Sequence, residues 1–206
     1  MEIQIDLART QKYLEWMKTK LFLDYTAANA ANRNIKNVYR GKVYYCSFGV
    51  GIGSEQEKNN RPCVVLQRHA SNMTSPNTIV APITKSSSTL DIVVPIATQY
   101  KADGTILLEG HVLLGNIITV SKARLGNYIT DLPPAEMKEV NKALSLSVEL
   151  YPYYKDLEDK LNDKLNYLTR VKDQRNQAQD TLKELYNLLG VSDVDNAKQK
   201  IHELLK

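Results

Sequence analysis

The side chains of this chain that could do phosphate, acid or base chemistry are few. Arg61 precedes Pro62 and an apolar run, with Glu55, Gln56 and Glu57 just upstream. A guanidinium is planar and permanently charged and can hold two oxygens of one phosphate, so it suits an anion. On its own, the arginine reads more simply as a surface cation paired with Glu55 or Glu57. Thr84 closes the run NTIVAPIT, where threonine is first of all a β-former. Lys85-Ser86-Ser87-Ser88-Thr89 could touch phosphate, although its composition favours a solvated connection. His69 and His111 have no ligand-like spacing to Cys or Asp, so neither a metal site nor another cofactor is expected. Cys46 and Cys63 lie in the apolar runs VYYCSF and PCVVL, which predicts buried, reduced thiols.

Three regions must position these residues. Residues 3–30 lack Pro and Gly, and Leu7, Leu14, Met17, Leu21 and Tyr25 recur at helical spacing, which predicts an amphipathic helix. The Ala/Asn-rich stretch to Asn37 reads as its fraying end and a linker, giving a first segment of residues 1–37. From Val38 the pattern becomes short β-branched or aromatic runs: VYYCSF, PCVVLQ, NTIVAPIT, LDIVVPI, TILLEGHVLLG and NIITV. Strands at this spacing predict a small barrel or sandwich. Pro133-Pro134 opens a helix with Met137, Val140, Leu144 and Val148 on one side, closing a domain of residues 38–150. Beyond it, Tyr154, Leu161, Leu168, Arg175, Leu182 and Leu189 are spaced by seven, with Leu157, Lys164, Val171, Ala178 and Leu185 between them. Such a heptad seam needs a helical partner. Residues 151–206 are thus a coiled-coil-like helix ended by Gly190, then a short helix capped by Ser192 or Asp193.

Composition bounds the class without naming a function. With 43% hydrophobic and 24% charged residues the chain is neither disordered nor fibrous. A net charge of +4 is too thin for a broad nucleic-acid-binding face, so any contact with a polyanion must come from a local site. Acidic Glu2 and Asp6 stand where a secretory signal would carry basic residues, and no apolar stretch approaches the ~18 residues of a membrane span. The expectation is a cytoplasmic protein that does not enter membranes.

Several segments together resemble one known family. Gly53-Ser54-Glu55-Gln56, followed by Arg61-Pro62-Cys63-Val64-Val65-Leu66-Gln67, is similar to the first loop and second strand of MazF/PemK toxins. Arg40-Gly41-Lys42-Val43-Tyr44-Tyr45 resembles their opening strand, and Ser75 to Thr84 their third. Val112-Leu113-Leu114, Asn116-Ile117-Ile118-Thr119-Val120 and Lys122-Ala123-Arg124-Leu125-Gly126 resemble their late strand pair and the turn after it. The matches fall in order across about residues 38–150.

The resemblance implies an α+β chain built on a small SH3-like β-barrel, with an N-terminal helix and a C-terminal heptad-patterned extension added. It also implies a homodimer that cuts single-stranded RNA, such as mRNA, at short sequences without a metal and is restrained by a cognate antitoxin protein. Carried over residue by residue, Arg61 and Thr84 match the catalytic pair and Glu55 a carboxylate beside it, while Gln56, Gln67, Lys85 and Asn116 fall among candidate RNA contacts. Cleavage by the RNA's own 2′-hydroxyl needs a proton acceptor, charge stabilisation on phosphate and help for the leaving 5′-oxygen. Arg61 and Thr84 suit the phosphate. The acceptor stays open, with Glu55 the nearest carboxylate by motif. Requiring a 2′-hydroxyl would also select RNA over DNA.

Three departures from the family favour an alternative, a catalytically reduced binding or regulatory module. Four residues, Glu57-Lys58-Asn59-Asn60, separate Gln56 from Arg61 where three are usual. Leu90-Asp91-Ile92-Val93 replaces a Leu-Pro-Thr-His stretch, and Asn116-Ile117-Ile118-Thr119 exchanges a cation for an isoleucine. The gyrase-poisoning CcdB-like toxins share the barrel, but the GSEQ and Arg-Pro signature points away from them. The C-terminal helices would either restrain the site or mediate oligomerisation.

Overall fold

A computed structural model describes residues 6–29, 37–53, 55 and 60–205. It divides into two compact units, Met1–Tyr151 and Pro152–Lys206.

The first unit opens with helix α1 (Leu7–Asn29). Seven strands follow: β1 (Lys42–Cys46), β2 (Arg61–Val65), β3 (Asn77–Thr84), β4 (Val93–Tyr100), β5 (Ile106–Leu113), β6 (Ile118–Ser121) and β7 (Leu125–Asp131). A short helix α2 (His69–Thr74) links β2 to β3, and helix α3 (Pro134–Ser147) follows β7. The sheet runs in the order β4-β5-β3-β2-β1-β7, with β6 pairing β3 beside β5, and every pairing is antiparallel. It curls so that its edges approach: Gln99 of β4 accepts from the Thr130 hydroxyl at 2.5 Å and donates to the Asp131 carbonyl at 3.3 Å. Side chains, not a backbone ladder, join these edges.

Apolar residues alternate along the strands and both sheet faces are covered, so two clusters form. Val43, Val64, Ala81, Ile83, Val112 and Leu114 lie on one face, where α3 adds Val140 and Ala143. Tyr44, Cys46, Phe48, Cys63, Val65, Val80 and Val120 make the second cluster. The expected buried thiols are found, both fully enclosed. The hydrogen bond with Cys46, and after it burial, push the Cys63 thiol far above the usual cysteine range, so it stays protonated. Of the α3 positions expected inside, Val140 is buried and Met137 and Leu144 pack against the core, whereas Val148 is exposed.

Three features depart from the sequence reading. Strand β7 was not anticipated, because LGNYITD has little apolar alternation and finds its place only by pairing with β1 through two register shifts. Helix α2 was also missed; its Asn72 is buried, donating to the Gln67 carbonyl and accepting from the Thr78 hydroxyl at 2.8 Å. The third concerns α1. Leu7, Leu14, Met17, Leu21 and Tyr25, expected on its packing face, are all more than half exposed. The helix docks instead through Arg9, Tyr13 and Trp16. Arg9 Nη2 and the Tyr13 hydroxyl donate to the Gly51 carbonyl at 2.8 and 3.3 Å, and the Trp16 ring lies flush on Gly49. Polar and aromatic groups satisfy an irregular loop carbonyl better than aliphatic ones could, so the aliphatic spacing was a misleading guide.

The second unit holds all but the first residue of helix α4 (Tyr151–Leu189), which ends at Gly190, where Val191 N donates back to the Tyr186 carbonyl. Helix α5 (Val194–Leu204) is capped by Asp193, whose carboxylate accepts from Asn196 N. The α4 seam residues Tyr154, Leu157, Leu161, Leu168, Val171, Leu182 and Leu185 are exposed.

Candidate active site

Strand pairing places the chemistry-bearing residues. In β1 and β2, Cys46 pairs with Arg61. Strand β2 pairs β3 as Cys63 with Pro82, Val64 with Ala81 and Val65 with Val80, and continuing that register by two residues sets Arg61 opposite Thr84. On the other side of β3, Thr84 pairs with His111 of β5, which in turn pairs with Pro95 of β4. Directly opposed residues share a face with Cβ atoms about 4.5–5.5 Å apart. One row therefore crosses five strands, running Cys46, Arg61, Thr84, His111, Pro95.

Two local devices create this row. Pro82, with no amide hydrogen to give, sits where β3 exchanges β6 for β5 as its neighbour. Gly110, at φ +125°, lets the β5 backbone come close to Thr84: a Cβ there would lie 2.2 Å from the Thr84 carbonyl oxygen. No other residue type fits that approach.

Arg61 is half-buried, and its Nε is enclosed without a hydrogen-bond partner. The half-buried Thr84 hydroxyl accepts from Ser86 N at 3.3 Å. A fixed cation beside a hydroxyl on one face is an arrangement that can hold an oxyanion such as phosphate.

The remaining candidates lie in different settings. Glu55 is exposed, and its Oε2 accepts from Ile52 N at 2.8 Å, closing its own turn. The turn follows the loop on which α1 docks, and Arg124 braces that loop through the Phe48 carbonyl while its guanidinium lies 5.2 Å over the Trp16 ring. Gln56 lies outside the described residues, as do Glu57, Lys58 and Asn59. Lys85 is ion-paired with Glu109, although its side chain is exposed. Asn116 is exposed in the 3-10 turn between β5 and β6. Gln67 lies six residues along from Arg61, about 20 Å in extended chain, and its amide donates to the Asn77 carbonyl. Continuing the β2–β3 register thus sets Arg61 beside Thr84, whereas Gln67 lies two residues beyond the end of β2. His111, which the sequence offered only as an unsuitable metal ligand, stands beside Thr84; nothing short of the β3–β5 register could have found it.

Known proteins match this same region. Residues 39–148 match the model for PemK-like, MazF-like toxins of type II toxin-antitoxin systems. Endoribonuclease EndoA of Bacillus subtilis (strain 168) is 34% identical over 116 residues, covering 56% of this chain and 98% of that protein. Endoribonuclease MazF of Staphylococcus saprophyticus is 36% identical over 115 residues, covering 54% of this chain and 92% of that protein. Among solved structures, an endoribonuclease in complex with its cognate antitoxin from a mycobacterial species aligns with a TM-score of 0.46 and 26% identity, covering 55% of this chain and 96% of that one. The family model spans slightly more than half of the chain and both relatives are matched over nearly their whole lengths, so the chain belongs to the PemK-like, MazF-like toxins of type II toxin-antitoxin systems.

Proposed function

We propose that this chain is an endoribonuclease that cuts single-stranded RNA at selected sequences by attack of the RNA's own 2′-hydroxyl, without a metal, and that a cognate antitoxin protein restrains it. The observations that support this most are the β2–β3 register, which continued by two residues sets Arg61 opposite Thr84 on one sheet face, and the enclosed, unpartnered Arg61 Nε. A buried cationic donor left unsatisfied is costly unless a ligand completes it. A phosphate diester supplies the acceptors. In this reading the guanidinium binds the non-bridging oxygens as negative charge grows on them, and the Thr84 hydroxyl adds one more donor at the same group. The relatives named endoribonuclease are consistent with this assignment. A homodimer, as expected for the family, belongs to the same proposal, and so do RNA contacts from Gln56, Gln67, Lys85 and Asn116.

A second reading, a binding module of the same fold, is favoured by two observations. Glu55 is engaged with its own turn, and Lys85 is neutralised by Glu109. One experiment decides between the readings. Purified full-length protein and Arg61→Ala are incubated with a long single-stranded RNA and its DNA counterpart in EDTA, and the fragment ends are mapped. Discrete cuts in RNA alone are expected, falling at least about 100-fold in Arg61→Ala, the scale seen when one oxyanion donor is lost. Absence of cuts by the wild type, with RNA binding retained, would favour the module.

A further inference from the structure

Arg61 and Thr84 serve the phosphate but leave the reaction without a group to accept the 2′-hydroxyl proton. A guanidinium stays protonated in proteins, and a threonine hydroxyl is not a base at neutral pH. Glu55 closes its own turn through Ile52 N and Glu109 pairs with Lys85, and neither stands in the row. One group of suitable chemistry remains in the row. His111 is directly opposite Thr84, and the β2–β3 register, continued two residues past Cys63 and Pro82, sets Arg61 on the other side of Thr84.

The pattern of hydrogen-bond satisfaction marks the same place. Among the described residues, three buried side-chain nitrogen or oxygen atoms lack a partner: Arg61 Nε, His111 Nδ1 and Glu136 Oε2. Native proteins leave few such atoms, and each calls for an explanation. Two of the three flank one hydroxyl in one row. Gly110 strengthens the arrangement, since its missing Cβ is what lets the strand carrying His111 close on Thr84. The groups facing His111 are Thr84 from β3 and Pro95 from β4; Arg61 lies beyond Thr84, and Glu109, two residues along β5, is held by Lys85.

We propose that His111 is a further catalytic residue, the general base of the cleavage step; this rests on the nuclease reading above. The 2′-oxygen–hydrogen bond breaks, its proton passing to the unprotonated nitrogen of the neutral imidazole and its electron pair remaining on oxygen. That oxygen forms a bond to phosphorus while the bond from phosphorus to the 5′-oxygen breaks. The 5′-oxygen keeps that electron pair and takes a proton from water, and the imidazolium returns its proton to the hydroxide so formed. The products are a 2′,3′-cyclic phosphate and a 5′-hydroxyl, and the balance needs no other reagent.

The test measures single-turnover cleavage of single-stranded RNA in EDTA from pH 5 to 9 by full-length wild type, Arg61→Ala, His111→Asn and His111→Ala. A general base contributes about 10²–10⁴-fold, and histidine is the side chain that ordinarily changes charge between pH 5 and 8. His111→Asn should lose that factor together with the rise in rate across this range, while its affinity for a 2′-deoxy substrate analogue stays within about threefold. Free imidazole should restore part of the activity of His111→Ala. If His111→Asn cuts at the wild-type rate with the wild-type pH profile, the inference is overturned while the nuclease reading stands. Loss of cutting that accompanies loss of thermal stability, with no imidazole rescue of His111→Ala, would make His111 structural and also overturn it. If the wild type does not cut, both the reading and the inference fall.

Discussion

Replacing Gly110 by alanine tests the claim that the row is built by close approach of β5 to Thr84. The added methyl would lie 2.2 Å from the Thr84 carbonyl oxygen and 2.9 Å from its carbon, both rigid backbone atoms, and φ is +125°. Holding a non-glycine residue in such a region costs about 1–3 kcal/mol. Forcing packed strands apart adds about 1–3 kcal/mol. The sum, ~4 kcal/mol, is a large part of the 5–15 kcal/mol that stabilises a typical domain. At roughly 4 °C per kcal/mol for a unit of this size, the melting temperature should fall by about 15 °C. With a urea dependence of ~2 kcal/mol per molar, the midpoint should fall by about 2 M. Gly104→Ala is the matched control, because φ is +79° there but no atom lies within 4 Å of the added carbon. It should cost only ~1–2 kcal/mol for the backbone conformation. Thermal and urea unfolding followed by circular dichroism measure both variants. If Gly110→Ala unfolds within about 2 °C of Gly104→Ala, the close approach carries no energetic weight and the argument fails.

Two further outcomes are expected. Trp16 is the chain's single tryptophan, so its fluorescence reports directly on α1 docking. Arg124→Ala removes the cation over its ring and the donor to the Phe48 carbonyl, and should red-shift the emission and speed proteolysis within α1, at a cost of ~1–2 kcal/mol; an unchanged spectrum would contradict the docking described. Lys122 is 4% exposed, its ammonium donates to the Asn72 carbonyl, and burial pushes it below the ordinary lysine range. Between its folded and unfolded values the folded state binds fewer protons, so stability should rise as pH climbs through that alkaline window and be lowest below it. Urea unfolding of wild type against Lys122→Met from pH 8 to 10.5 should show the difference changing in the wild type's favour with rising pH; parallel curves would refute the assignment.

Local patterns in the sequence carried much of the architecture. Alternating β-branched runs anticipated six of the strands, the Pro133-Pro134 pair the start of α3, and Gly190 and Asp193 the break between α4 and α5. Each depends on propensity or capping within a few residues, which is why it can be read without a fold. Arg61 and Thr84 could be singled out as candidates too, because each sits in a short motif. What the sequence could not determine is anything decided across the sheet. Strand β7 has no periodic signal and exists through its pairing with β1; α1 docks through Arg9, Tyr13 and Trp16 against its own aliphatic stripe; and His111 acquires meaning only opposite Thr84. A strand's neighbours are chosen by burial and register over the whole unit, and a shift of one residue would turn every one of its side chains to the other face. The types of the candidate site residues were therefore open to view in the sequence, while their company was settled by the tertiary fold.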